Sequence, residues 1–97
     1  MEGSVKTLKA LSNEARLMIV RFLSKQPMCV NALACRLGIS QPAVSQHLKV
    51  LENAGLVRGD KQGYWVHYRL VPGNLQKCAA FIQDLTEEVK GNVQDEI

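Results

Sequence analysis

The chain has 97 residues, enough for one domain with one hydrophobic core, and domains this small often gain burial by oligomerising. Its 46% hydrophobic content is ordinary for a globular protein and is not gathered into any apolar run near the roughly 18 residues of a membrane span. The net charge of +3 is too small to name a polyanionic partner by itself, and three cysteines, an odd number, argue against a disulfide framework.

The opening stretch MEGSVKTLKAL lacks the apolar core of a secretory signal, so a cytoplasmic protein with reduced thiols is expected. Residues 4–10 form a short helix with Val5, Leu8 and Leu11 on one side. Ser12 stands where it can cap the next helix, with Glu14 in a first turn that favours negative charge. Leu17, Met18, Ile19, Val20, Phe22 and Leu23 leave little of that helix polar, which predicts the central, most buried one. Met28, Cys29 and Val30 make a brief extended piece leading into a third helix over residues 30–37, with Val30, Leu33 and Leu37 as its apolar stripe. Gly38 fits the position after a helix where a left-handed conformation is cheap. Ser40 caps a fourth helix, residues 41–53, whose first turn tolerates Pro42. Val44, Leu48 and Leu51 recur at i, i+4 and i+7 and face the core.

After Gly55 the period changes from 3.6 to 2. Residues 56–58 and 64–70 are predicted as two strands, with 59–63 as the hairpin loop. Val66, Tyr68 and Leu70 are expected against the helices, and Trp65, His67 and Arg69 outward. Pro72, Gly73 and Asn74 break the hairpin, and a last helix follows over residues 74–90. The polar tail from Gly91 is expected to fray. The fold class is therefore mainly α with a β-hairpin wing: a single winged helix-turn-helix domain over residues 1–97, with an extra helix at each end.

The fourth helix carries the functional signal. With its apolar residues inward, Gln41, Ser45, Gln46 and Lys49 face out, and Ser40 and Pro42 sit at its tip. Glutamine bonds adenine bidentately, and serine bonds base edges or phosphate. Ser40 and the free N–H groups of the helix start suit a phosphate oxygen. Residues 39–51 contain no Asp or Glu, so nothing there repels a nucleic-acid backbone. The competing reading is an ordinary amphipathic helix with a solvated face. His47 lies beside the outward face, suited to a DNA contact or to a hydrogen bond inside the motif. Arg16 has similar options, a phosphate or a pairing with Glu14 or Glu52. On the wing, Arg58, Lys61 and Tyr64 are predicted at the tip as phosphate or minor-groove contacts, with Arg69 further along. Charge is uneven in the same sense. Residues 1–35 carry five basic and two acidic side chains, residues 36–69 again five and two, and residues 70–97 two and five. The part holding the reader helix and wing is basic, and the tail is acidic.

Leu75, Cys78, Ile82, Leu85 and Val89 are spaced 3, 4, 3 and 4 apart, a short a/d seam. One small domain offers little to cover it, and Val5 and Leu8 supply a matching stripe. A two-fold dimer built on residues 4–10 and 74–90 would bury both. It would also set two reader helices roughly 34 Å apart on a near-palindromic double-stranded operator.

The segments LKALSNEARLMIVRFL, CVNALACRLGISQPAVSQHLKVLENAGLV and GYWVHYRL resemble the ArsR/SmtB family of repressors over residues 5–90. The resemblance implies a homodimer that represses its operon, reads DNA with residues 41–53 and leaves the operator when an inducer binds. It also implies places for an inducer. One family site uses a CVC motif at the start of the third helix, where this chain has Cys29-Val30-Asn31. Another uses His and acidic residues on the last helix, which here has Asp84, Glu87 and Glu88 but no His. Neither pattern is complete, so thiols are the remaining candidates. Cys29 stands at a helix start, and Cys35 lies beside Arg36. Thiolates suit an arsenite-like metalloid or a soft metal ion, and reactive thiols also sense oxidants. Residues six apart are about 9 Å apart along a helix, so the two share one ion only with an irregular helix start or a partner chain. Cys78 is expected as packing in the seam rather than as a ligand. Two other function classes compete. A winged-helix adaptor for proteins would have no need of an acid-free reader helix and a basic wing. An enzyme is disfavoured because no activated-nucleophile, phosphate-loop or paired-carboxylate motif is present.

Overall fold

The computed structural model describes residues 1–91. Within them the order is α1 (Glu2–Leu11), α2 (Glu14–Leu23), β1 (Met28–Cys29), α3 (Val30–Leu37), α4 (Gln41–Asn53), β2 (Val57–Gln62), β3 (Trp65–Leu70) and α5 (Gly73–Gly91). Of the tail expected to fray, Gly91 ends α5 and residues 92–97 lie outside the described residues. None of the described helices is long and apolar enough to cross a membrane.

The core gathers Ile19 from α2, Leu33 from α3, Val44, Leu48 and Leu51 from α4, and Leu56 just before β2, each at most 1% exposed. Sealing one such aliphatic side chain contributes roughly 1.5–3 kcal/mol. The i, i+4, i+7 residues of α4 are therefore inward, as their spacing predicts. The second helix is less enclosed than its composition suggests. Ile19, Val20 and Leu23 are buried, but Leu17 is 53% exposed. Its cap also differs from expectation. Asn13 is the N-cap, its Oδ1 accepting the Arg16 N–H at 3.1 Å. Ser12 instead ends α1, donating its hydroxyl to the Lys9 carbonyl at 2.9 Å.

The first helix docks by small side chains. Ser4, Thr7 and Ala10 are buried, and Val5 and Leu8 face away at 43% and 40% exposure. Small residues let α1 approach α5 closely, so that the Cys78 thiol lies 3.9 Å from the Ser4 carbonyl. The seam predicted on α5 accordingly splits in two. Leu75 packs on the domain core and Cys78 is buried against α1, while Ile82, Leu85 and Val89 are exposed. Cys78 thus packs inside the protomer, because the α1 stripe that covers it is Ser4 and its neighbours rather than Val5 and Leu8.

The turn between α3 and α4 follows its residues. Gly38 takes φ 68°, its N–H bonds the Ala34 carbonyl at 2.8 Å, and Ile39 packs on the core. Ser40 caps α4, its Oγ accepting the Ala43 N–H at 3.2 Å. At the other end Asn74, from the start of α5, donates its amide to the Ala54 carbonyl at 3.0 Å. Gly55 leaves the space for it: a Cβ there would stand 2.5 Å from the Asn74 amide nitrogen.

The wing is longer than predicted, and its turn is elsewhere. β2 runs to Gln62 and pairs with β3 from Val57↔Leu70 to Gln62↔Trp65, leaving only Gly63 and Tyr64 as the loop. Gly63 has φ 66° and, among the described residues, no non-glycine residue has positive φ, the sign pattern of a type II′ hairpin turn. Gly59, expected in the loop, sits in mid-strand, where the Tyr68 ring covers it: a Cβ at Gly59 would stand 3.0 Å from that ring. β1 adds a third antiparallel strand in the order β1-β3-β2, pairing Met28 with Tyr68 and Cys29 with His67. Tyr68 and Leu70 pack on the core as expected. Val66 does not; it lies one pair from the turn and is 39% exposed.

Candidate nucleic-acid interface

Burial of Val44, Leu48 and Leu51 fixes the rotation of α4, and everything opposite them is presented to solvent. Ser40, Gln41, Pro42, Ser45, Gln46 and Lys49 are all exposed, and His47 is half-buried at the edge of the same face. These seven residues form one contiguous surface free of carboxylates. Its tip is poorer in donors than expected. Pro42 has no N–H, the Ala43 N–H goes to Ser40 Oγ and the Val44 N–H to the Ser40 carbonyl. Of the first four helical positions, only Gln41 keeps its N–H for an external anion.

The wing carries less free positive charge than its sequence suggests. Arg58 stands directly across the hairpin from Arg69, and like charges so placed repel. Asp60 resolves this by bridging both. Arg69 Nε donates to Asp60 Oδ2 at 2.8 Å, and Arg58 Nε to Oδ1 at 3.2 Å. Hydrogen bonding from Arg69, reinforced by the charge and hydrogen bond of Arg58, holds the Asp60 carboxyl below its usual value of 3.8. Arg58 is consequently not a wing-tip residue: it lies four pairs from the turn, with its guanidinium engaged. Lys61 and Tyr64 do belong to the tip, Lys61 exposed one pair from the turn and Tyr64 fully exposed within it. Trp65 beside them is 57% exposed. Asp60 is the wing residue that sequence reasoning missed. Its signal, an acid two positions from one arginine and diagonal to another, becomes visible only when the turn is placed at Gly63.

Arg16 has partners that sequence reasoning did not name. Its Nε donates to the Ala10 carbonyl at 2.6 Å, and its Nη1 lies 3.4 Å from His47 Nδ1. It pairs with neither Glu14 nor Glu52. No local sequence signal reveals such a contact, since Arg16 and His47 are 31 positions apart.

Residues 13–58 match the family described as "Bacterial regulatory protein, arsR family". The arsenical resistance operon repressor of Escherichia coli (strain K12) is 46% identical over 69 residues, 70% of this chain and 59% of that protein. An ArsR-like transcriptional regulator from Rhodococcus sp. RHA1 superposes with a TM-score of 0.84 at 29% identity, over 97% of this chain and 89% of that one. A homodimeric winged helix-turn-helix DNA-binding domain from Mycobacterium bovis, a possible ArsR-family regulator, superposes at 0.73 with 28% identity, over 90% and 81%. The chain belongs to the ArsR family. It spans less than two thirds of the length of the Escherichia coli relative.

Against that ArsR framework the three cysteines differ in setting. Cys29 is the residue before α3, faces His67 across β1 and β3, and lines a small cleft with Asn31, Trp65 and Val66. The Nδ1 of His67 is buried without a hydrogen-bond partner among the described residues. Cys35 is exposed on α3, and Cys78 is the buried thiol at Ser4. Cys29 is in extended conformation (φ −82°, ψ 167°), the ordinary geometry of a residue that precedes a helix. Among the described residues, no three His, Cys, Asp or Glu side chains are grouped so as to hold a metal ion.

Proposed function

We propose that this ArsR-family protein is a cytoplasmic homodimeric DNA-binding repressor. The observation that carries the reading is the outward face of α4: polar, free of acid, and fixed in rotation by three sealed aliphatic residues. Gln41, Ser45 and Gln46 are the base-reading candidates, and Ser40, Lys49 and the Gln41 N–H the phosphate-positioning ones. Lys61 and Tyr64 extend the contact from the wing. The exposed apolar residues Val5, Leu8, Ile82, Leu85 and Val89 support a two-fold dimer through α1 and α5, which would align two α4 helices with successive major grooves of a near-palindromic operator. The name of the Escherichia coli relative supports repression. The test is binding to the DNA upstream of the protein's own gene, followed across salt concentrations. Electrostatic capture predicts that log K falls linearly with log salt. Binding indifferent to salt favours the protein-adaptor reading instead.

Release is proposed to be thiol-based and centred on Cys29, with an arsenite-like metalloid, a soft metal ion or a thiol oxidant as inducer. Its place at the junction of α3 and the sheet supports this, since a group added there would press on the wing. Cys35 contributes only as a second, exposed thiol. Substituting both by Ser should leave operator affinity intact and abolish the response to arsenite and to mild oxidant. A double variant that still responds overturns the thiol reading and leaves a regulator without thiol sensing.

A further inference from the structure

We infer that Arg16 is a positioning residue for the DNA-reading surface: it fixes His47 as an outward hydrogen-bond donor and ties that donor to the end of α1. The inference rests on the DNA-binding reading of α4 and names a partner for one of its residues. Its chemistry follows from what guanidinium can do. Arginine has five N–H donors and no acceptor. The nitrogen of His47 that faces Arg16 Nη1 at 3.4 Å must therefore offer a lone pair, and that nitrogen is Nδ1. A neutral imidazole accepting at Nδ1 carries its proton on Nε2. Among the described residues Nε2 has no partner and is not one of the buried unsatisfied polar atoms, so it reaches solvent. His47 lies one residue from Gln46 on the exposed face of α4, which makes Nε2–H a donor available to a phosphate or a base edge.

The same guanidinium is anchored behind. Its Nε donates to the Ala10 carbonyl at 2.6 Å, in the last turn of α1, and its own backbone N–H is held by the Asn13 cap. Arg16 thus spans α1, α2 and α4 with donors spent on protein acceptors. The anchor matters because α1 is also the helix whose Val5 and Leu8 face away from the domain. A shift of α1 relative to α2 would move the Arg16 fork, and with it the His47 ring. Lysine cannot replace it, because one ammonium on a flexible stem does not hold two acceptors in a fixed fork.

The first test needs no DNA. Ring nitrogen NMR of the full chain, at a pH where imidazoles are neutral, should show His47 protonated on Nε2 with a hydrogen-bonded lone pair on Nδ1. In Arg16→Met the Nδ1 resonance should move to the position of a free lone pair. A proton on Nδ1, or a resonance indifferent to Arg16→Met, overturns the inference whatever the protein does with DNA. The second test is operator affinity. Arg16→Met and His47→Ala should each weaken binding about tenfold with unchanged salt slope, and the double variant no more than the weaker single. Arg16→Lys, which keeps charge and bulk should the Met variant unfold, should not restore affinity. Full affinity in Arg16→Lys, a salt slope lowered by about 0.9, or additive losses would show a cation acting directly on DNA and overturn the positioning role. Parent protein that binds no DNA sinks the reader-helix reading while leaving the NMR result to stand or fall on its own.

Discussion

Asp60 shows how one side chain can reverse the reading of two others. Arg58 and Arg69 count as wing cations in the sequence, yet both are paired with the same carboxylate, which leaves the trio one net positive charge. Asp60→Asn should free both, raise non-specific DNA affinity at low salt and steepen the salt dependence by about one to two units per protomer. Anisotropy titrations at several salt concentrations check this, and an unchanged slope contradicts it. The clamp also has a pH signature. The carboxyl is held below 3.8, so its charged form is favoured by folding. The stability it adds is present above 3.8 and is lost as pH falls through the lower folded-state value. The stability difference between parent and Asp60→Asn in denaturant melts should be constant near neutrality and shrink towards zero below pH 3.8. Ser40 makes a simpler case. Ser40→Ala removes the cap from Ala43 and should cost roughly 1 kcal/mol of stability. It should also weaken DNA binding by more than that stability loss explains, because the hydroxyl is exposed at the tip of the reading face.

The helices were largely legible from the chain, and the hairpin was not. α4 begins and ends where the Ser40 cap, Pro42 and Gly55 put it, because capping and 3.6-residue periodicity act over a few neighbouring residues. The same local logic placed Gly38 in the left-handed turn. The wing failed locally because Gly59 and Gly63 are both plausible turn residues, and the choice depends on which partner each faces across the strands. The Tyr68 ring packs closely over Gly59, where a Cβ would stand 3.0 Å from it, a cross-strand contact that favours glycine in the strand with the turn at Gly63. Caps were ambiguous for a related reason, with Ser12 and Asn13 adjacent and α1 ending one residue later than its pattern suggested. The partners of Arg16 were not legible because they come from two other helices. A core prediction follows for α4. Leu48→Ala leaves a void in a site that is 1% exposed and should cost about 2–5 kcal/mol in urea unfolding. A loss below 1 kcal/mol would mean that the face opposite the reading surface is not sealed.

Among the described residues, Val5 and Leu8 on α1 and Ile82, Leu85 and Val89 on α5 are apolar side chains that point away from the domain. A domain of 97 residues with these five side chains in water is short of burial, and a second copy would provide it. Leu85→Glu should yield a folded monomer at micromolar concentration in analytical ultracentrifugation. It should also lower operator affinity by about two orders of magnitude, since half-sites would then be bound singly. A dimeric Leu85→Glu protein would move the interface elsewhere. The most direct measurement is the affinity of the parent chain for its upstream DNA and for a shuffled duplex of equal length, each titrated between low and physiological salt. An α4 reading face predicts affinity that falls steeply with salt on both duplexes and a preference of about a thousandfold or more for the native sequence, reduced in Gln46→Ala. Equal binding to both duplexes, or a Gln46→Ala variant with unaltered preference, would contradict it.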